Sequence, residues 1–301
     1  MVLCVGEILL DMISEDHGNG LVFDCHIGGA PLNVAYQIAR LGKESYFVGA
    51  VGTDAIGRYL RKEVGSLPLV GYDIPSLEDF NTTLAMVTLK QGERDFSFYR
   101  KNTADIHLPD VREELLEEAD IVHIGSLMLS SDSGMDYALS LIRKAKRKGC
   151  FVSFDVNLRQ DLYPNEGTAI ERSKRIIEES DILKFSKEEE DLFGSDYLCE
   201  ISETRHVFVT MGKKGSLYLF KKEKVEYPSF PVDVVDTTGA GDAFYGGVLS
   251  CIDERKDFSG MKEILRFANA CGGLATEKKG AMTGMPTLQE TEDFLKARKK
   301  D

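Results

Sequence analysis

The chain has 301 residues, of which 50 are acidic and 37 basic, for a formal charge of −13. That length holds one large α/β domain or two smaller ones, and the acidic balance argues against a general nucleic-acid binder, which needs a cationic surface to displace counterions. Hydrophobic residues at 43% and charged residues at 29% exclude a mainly disordered chain, and no uncharged apolar run reaches the ~20 residues of a membrane helix.

The first segment, MVLCVGEILLD, meets an acid at Glu7 and has neither a basic flank nor a cleavage site. It reads as a buried strand over 2–9 rather than a signal peptide. Residues 12–27 are short and strand-like, broken by Gly18-Asn19-Gly20. A helix is predicted over 31–41, opened by Pro31, stopped by Gly42 and striped by Leu32, Ala35, Tyr36 and Ala39. A strand follows over 46–51. Residues 82–100 hold two strand-like halves around a turn at 90–93, with Phe96 and Phe98 alternating with Asp95, Ser97 and Tyr99. Further strands are predicted over 121–124, 150–156, 182–185, 206–210 and 216–220. A helix over 132–148 carries Met135, Leu139 and Ile142 on one face, and its basic end suits a solvated, dipole-matched terminus before Gly149.

Strand–helix–strand repetition predicts a mostly parallel sheet with helices on both faces. Residues 1–11, 28–81 and 106–301 form the expected core. Residues 12–27 and 82–105 are expected to form a small β-sheet lid, the alternative being antiparallel edge strands of the main sheet. Six scattered cysteines without a CxxC pair predict reduced thiols in a cytoplasmic protein. Cys25-His26 with His17 lacks a fourth ligand at a recognised spacing and predicts no metal site.

The strongest chemical signal is Val235-Asp236-Thr237-Thr238-Gly239-Ala240-Gly241-Asp242-Ala243-Phe244. A glycine turn before an apolar helix over 243–252 aims backbone N–H groups and the positive helix end at an anion. Asp242 then sets a carboxylate beside an anion site, which suits a base next to a transferred phosphoryl group, or equally a helix N-cap. No GK[ST] is present, so the turn is not a P-loop, and GAGDAF lacks the third glycine of a dinucleotide fingerprint. Gly28-Gly29-Ala30-Pro31-Leu32-Asn33 is a second cluster, where two glycines allow close approach of a ligand or simply a tight turn. Asp11, Asn157 with Arg159, Ser186, 210–215 and Asp236 all follow predicted strand ends, which face one crevice in an open α/β sheet.

Nearly end to end, these residues resemble the ribokinase-like (PfkB) carbohydrate kinases, and most closely their fructokinase branch. GGAPLNVAYQIARLG with YFVGAVGTDAIGRYL is similar to the first family signature, and DTTGAGDAF to the second, roughly 200 residues later. GERDFSFYRKNTAD and FDVNLRQDLYP are similar to the fructokinase branch. The resemblance implies a three-layer α/β/α sandwich with a mostly parallel central sheet and a small β-sheet lid. It implies transfer from ATP, with Mg2+, to the hydroxyl of a sugar, fructose first and 2-keto-3-deoxygluconate as the rival, since Arg100 and Arg159 suit a carboxylate. A kinase-shaped binding protein without turnover would be expected to lose Asp242.

By the same resemblance Asp242 is the base and Gly239, Ala240 and Gly241 the anion hole. Asp11, Gly28, Gly29, Asn33, Phe98, Arg100 and Arg159 line the sugar pocket. Asn157, Ser186 (where many relatives carry Asn), Glu189, Thr210, Gly212, Gly215 and Asn269 contact ATP or the shell of its magnesium. A monovalent cation, K+, is implied at Asp236, Thr238, Ala275, Lys278, Gly280 and Gly284. Leu84, Met86, Phe96 and Phe98 are expected as exposed apolar lid residues, and such lids pair across a homodimer in relatives. No nucleic-acid or membrane partner is expected.

Overall fold

The computed structural model describes residues 1–16, 21–90 and 93–298, with the backbone alone at 15, 16, 21, 87–90 and 93–96. The predicted break at Gly18-Asn19-Gly20, His17, the tip of the turn at Gln91-Gly92 and the Phe96 side chain lie outside the described residues.

In chain order the strands are β1 (Val2–Val5), β2 (Leu9–Asp16), β3 (Leu21–Gly28), β4 (Ser45–Val48), β5 (Val51–Gly52), β6 (Gly71–Asp73), β7 (Ser76–Leu77), β8 (Leu84–Lys90), β9 (Glu93–Tyr99), β10 (Ile121–Ile124), β11 (Phe151–Asp155), β12 (Ile182–Ser186), β13 (His206–Thr210), β14 (Ser216–Phe220) and β15 (Glu223–Tyr227). The helices are α1 (Ala30–Arg40), α2 (Ala55–Val64), α3 (Glu113–Glu118), α4 (Asp132–Lys148), α5 (Glu166–Ile177), α6 (Lys187–Phe193), α7 (Ser195–Ser202), α8 (Ala240–Arg255), α9 (Met261–Ala275) and α10 (Leu288–Ala297).

The main sheet has nine strands in the order β15-β14-β13-β12-β11-β10-β1-β4-β6. Its pairings are parallel from β13 to β6 and antiparallel at β13–β14 and β14–β15. β1 shows why its strands are apolar throughout. Its four residues are all buried, with Leu3 and Val5 packed into one core and Val2 and Cys4 into the other. Alternate residues point to opposite faces, so a sheet covered on both sides needs both sets apolar. Helices α3, α4, α5 and α7 cover one face, and α1, α2, α8 and α9 the other. Each fully buried Leu, Ile or Val contributes about 1.5–3 kcal/mol. The result is the expected three-layer α/β/α arrangement.

The small sheet is separate, with four strands in the order β3-β2-β8-β9. It is not an edge of the main sheet. β2 pairs antiparallel with β3 and parallel with β8, and β8 pairs antiparallel with β9.

Three expectations are corrected. The strand predicted over 2–9 is two strands, β1 and β2, in different sheets. The chain changes sheet at Gly6, where a Cβ would stand 2.7 Å from the Pro31 ring, and strand content alone does not separate the apolar residues before Gly6-Glu7 from those after. Asp11 therefore rides on the small sheet rather than on a main-sheet strand end. The strand predicted over 46–51 likewise divides into β4 and β5, the latter paired with β7. Helix α8 starts at Ala240 with Gly239 as its N-cap, so Asp242 lies in the first turn and is not the cap. By contrast α4 spans 132–148, capped by Ser131, whose hydroxyl accepts from the Gly134 amide at 3.1 Å. All six cysteines are free, and among the described residues no helix is long and apolar enough to cross a membrane.

Candidate active site

β1 and β10 are neighbours, and from them the chain runs outward in opposite directions, to β4 and β6 on one side and to β11, β12 and β13 on the other. Connections leaving such a pair diverge and leave a crevice beyond the carboxyl ends of the strands. A cavity of about 350 Å3 lies there, lined by Glu7 from beyond β1 and Leu127 from beyond β10.

The small sheet supplies one wall. Its register sets Leu9 opposite Gly28, Asp11 opposite His26 and Ala85, and Ala85 opposite Phe98. Opposed residues share a face, so Leu9, Asp11, Ala85 and Phe98 all line the cavity. Gly28 makes room for the acid, since a Cβ there would stand 2.1 Å from Asp11 Oδ2. Leu84, Met86 and Phe98 are not outward apolar residues as expected. Each is partly buried, Leu84 against the α1–α8 core and Phe98 against Leu9, Ala85 and Leu127. Among the described side chains of the small sheet, Val22 and Tyr99 are the exposed large apolar ones, at 49% and 58%.

Two helix starts close the other side. Gly29, with φ +119, caps α1, and a Cβ on it would stand 2.3 Å from the Glu7 carbonyl oxygen, so only glycine fits. Gly239, with φ +77, caps α8 in the left-handed helical region. Asn33, in the first turn of α1, donates its amide Nδ2 to Asp242 Oδ2 at 2.8 Å. Asp242 opens onto the cavity and is otherwise enclosed by protein. That burial raises its pKa, while Lys184, the Asn33 hydrogen bond and Arg159 act in the opposite direction. Burial, with Asp242 nearby, pushes Asp11 up to about 7, and burial pushes Glu7 up to about 8.

Beyond the glycine turn lies a second cavity of about 670 Å3. Thr210, Gly212 and Gly215 line it from the β13–β14 connection, Phe244 from α8, and Asn269 and Gly272 from α9. Phe230, Pro231, Val232 and Val234 make it largely apolar. Thr237 and Gly241 line both cavities. The turn therefore stands between a polar chamber holding Asp242 and an apolar one able to take a planar base.

Residues 1–288 match the pfkB family of carbohydrate kinases. This chain belongs to that family. It is 34% identical over 319 residues to probable fructokinase-5 of Arabidopsis thaliana, covering 100% of this chain and 98% of that one. The fructokinase of Xylella fastidiosa, solved with bound ATP, superposes with a TM-score of 0.90 at 31% identity, covering 99% of each chain. The fructokinase of Vibrio cholerae, solved with fructose, ADP and calcium, gives a TM-score of 0.83 at 28% identity, covering 98% of each chain.

Several residues of the kinase sit differently from expectation. Arg100 does not line the first cavity. It pairs with Asp105 at 2.5 Å and contacts Ser130, while Thr83 and Thr103 also donate to Asp105. Ser186 and Glu189 form a capping box at the start of α6, and the Glu189 carboxylate accepts from the Leu158 and Ser186 amides, both at 2.7 Å. Ser186 and Glu189 line a third cavity of about 680 Å3, which shares Phe98 and Arg159 with the first. Asn157 lines the first cavity, with φ +32. Asn269 donates to the Tyr227 and Pro228 carbonyls, both at 3.1 Å, which fixes the chain beyond β15.

Of the residues expected to hold a monovalent cation, Asp236, Thr238 and Gly280 meet through hydrogen bonds, and Ala275 packs against Gly284. Asp236 is 5% exposed and accepts from Thr238 and from the Gly280 amide. A Cβ on Gly284 would stand 2.1 Å from the Ala275 carbonyl oxygen, so glycine is what lets the two backbone segments pack together there. A carboxylate with carbonyl oxygens is a hard donor set that suits a cation preferring oxygen.

Sequence reasoning missed Glu7 and Lys184. Both had a signal, in that each is a lone charge set in or directly after an otherwise apolar strand segment.

Proposed function

We propose that this carbohydrate kinase is an ATP-dependent fructokinase that makes fructose 6-phosphate and ADP. The observation that carries the reading is the shared turn, with Asp242 on the sugar side and an apolar chamber on the other. Thr210, Gly212, Gly215 and Asn269 hold the nucleotide, and Asn157, Ser186 and Glu189 lie toward its phosphates and their magnesium. Gly239, Ala240 and Gly241 offer backbone N–H groups to the γ-phosphoryl oxygens at the positive end of α8. Asp11, Gly29, Asn33, Phe98 and Arg159 orient the sugar, and Gly28 leaves space for Asp11.

A sugar hydroxyl is too weak an acid to ionise in advance. As its oxygen bonds to the γ-phosphorus and the bond to the ADP oxygen breaks, Asp242 takes the proton. Phosphoryl transfer is loose, so placement and charge stabilisation carry most of the acceleration. The small sheet acts as a lid that keeps water from competing for the phosphoryl group. Potassium at Asp236, Thr238, Ala275, Lys278, Gly280 and Gly284 would add fixed positive charge behind the anion hole.

Arg100, one of the two cations that favoured a sugar acid, is engaged by Asp105. The intact base and glycine turn count against a kinase-shaped protein without turnover. Exposed Val22 and Tyr99 on the small sheet support a homodimer through that sheet, checked by light scattering. Free thiols support a reducing compartment, the cytoplasm. ADP release against a sugar panel tests the activity. Fructose is expected to give the highest kcat/KM, and a preference for 2-keto-3-deoxygluconate or another sugar overturns the assignment.

A further inference from the structure

Strand β12 reads Ile-Leu-Lys-Phe-Ser, and its single charge, Lys184, is 6% exposed. Lys184 Nζ donates to both carboxylate oxygens of Asp155, at 2.9 and 3.0 Å. Main-sheet pairing sets the two residues side by side on β11 and β12, so both partners of the ion pair are carried by adjacent parallel strands. A buried ion pair is a weak source of stability, because stripping water from two charges offsets their attraction. Its presence here calls for another reason.

That reason lies above it. Lys184 Nζ is 3.1 Å from the point a Cβ on Gly241 would occupy, directly under the glycine turn, and Lys184 lines the same cavity as Asp242. Asp155, Glu189 and Asp242 face the ammonium and keep it protonated. Asp242 is itself faced by Asn33 from α1, by Arg159 from the segment after β11, and by Lys184 from β12. Its acidic neighbours are Glu7 after β1, Asp11 on β2 and Asp155 on β11. Burial drives the Asp242 carboxyl toward its neutral form, which is useless as a base. Of the two cations, Lys184 is the one anchored in the sheet.

Resting on the reading of Asp242 as the base, we propose that Lys184 is a positioning residue of the transfer step: its ammonium, pinned under Gly241 by Asp155, is the fixed positive charge against which Asp242 works as an ionised base. Lys184 touches neither sugar nor nucleotide in this role and acts through Asp242.

The test is the pH profile of kcat/KM for fructose, with saturating ATP and magnesium. Lys184→Met combined with Asp155→Asn removes both charges and leaves no unpaired ion in the core. Because Asp155 also faces Asp242, the paired variant should move the acidic limb of the profile upward only in part, and removal of the cation alone should move it further, by roughly one to three pH units, the span that a nearby opposite charge imposes on a carboxylate. Activity lost at neutral pH should then return at alkaline pH, and Lys184→Arg, which keeps the charge, should hold the limb near its wild-type position. Lys184→Gln, with Asp155 retained, is a second variant expected to move the limb the same way should the paired variant not fold. A loss equal at every pH, or an unmoved limb in folded protein, overturns the proposal. Asp242→Asn separates the two readings. If it retains turnover, the base assignment itself falls; if it is inactive while the Lys184 variants keep the wild-type limb, the Lys184 inference alone falls.

Discussion

Asn33 and Asp242 are 209 positions apart in the chain, and the amide of the first donates to Oδ2 of the second at 2.8 Å. The bond ties the first turn of α1 to the first turn of α8, so the two glycine-led helix starts are locked in one orientation. A hydrogen bond to the charged form of a carboxylate favours that form. Removing it by Asn33→Ala should raise the pKa of Asp242 further. A base works when deprotonated, so the variant should lose more activity at acidic than at alkaline pH. A hydrogen bond to a charged group is worth about 1.5–3 kcal/mol, so a loss of roughly 10- to 100-fold in kcat/KM is expected on the acid side. Steady-state rates across pH check this.

Replacing the base directly should be more severe. Asp242→Asn keeps the shape and removes the proton acceptor, and a positioned base contributes about 10²–10⁴-fold. Turnover should fall by that factor while ATP affinity, measured by calorimetry, stays within a few-fold of wild type. Near-normal turnover would remove Asp242 from the chemistry.

The glycine turn is vulnerable to a single methyl group. At Gly239, φ is +77 and a Cβ would stand 2.8 Å from both Cα and Cβ of Ala281. Left-handed backbone at a non-glycine residue costs about 1–2 kcal/mol, and the clash adds to it by pushing the turn away from the 281 segment. Gly239→Ala should therefore lower the melting temperature by a few degrees and reduce kcat more than it raises the KM for fructose. An unchanged kcat would mean that the turn does not hold the transferred group.

Glu7 links the site to stability. It is 2% exposed, its Oε1 accepts from the Ala30 amide at 3.2 Å, and burial pushes its pKa from 4.5 up to about 8. The folded state therefore holds a proton that the unfolded state releases. That contribution is full below about pH 4.5 and is lost as pH rises through about 8. Glu7→Gln is neutral and keeps the acceptor, so its stability should fall less between about pH 5 and about pH 8. Urea melts at both ends of that range read the difference, and equal slopes would show Glu7 ionised in the fold.

Much of this kinase was legible from local pattern. β10, β13, β14 and α4 begin and end where strand content, helical spacing, Ser131 and Gly149 set them. The two glycine clusters pointed to helix starts, because a left-handed cap and a close backbone approach are properties of a few consecutive residues. Asp242 stood out beside such a turn, yet its neighbours on the chain left base and N-cap equally open.

The choice among long-range partners belonged to the tertiary structure. The run from Val2 to Leu9 is apolar except for Gly6 and Glu7, and local pattern does not say that those two residues mark a change of sheet. Arg100 is as well suited by composition to a sugar as to Asp105, five residues on, and packing decided the matter by bringing Ser130 to Arg100 and Thr83 to Asp105. Lys184 is one cation in a buried strand until β11 sets Asp155 beside it and α8 sets the glycine turn above. Periodicity and capping are written in neighbouring residues and survive in the bare sequence. Which strands pair, and which charges share a dry space, depends on contacts between residues far apart in the chain, and those are decided when the two cores close on the sheet.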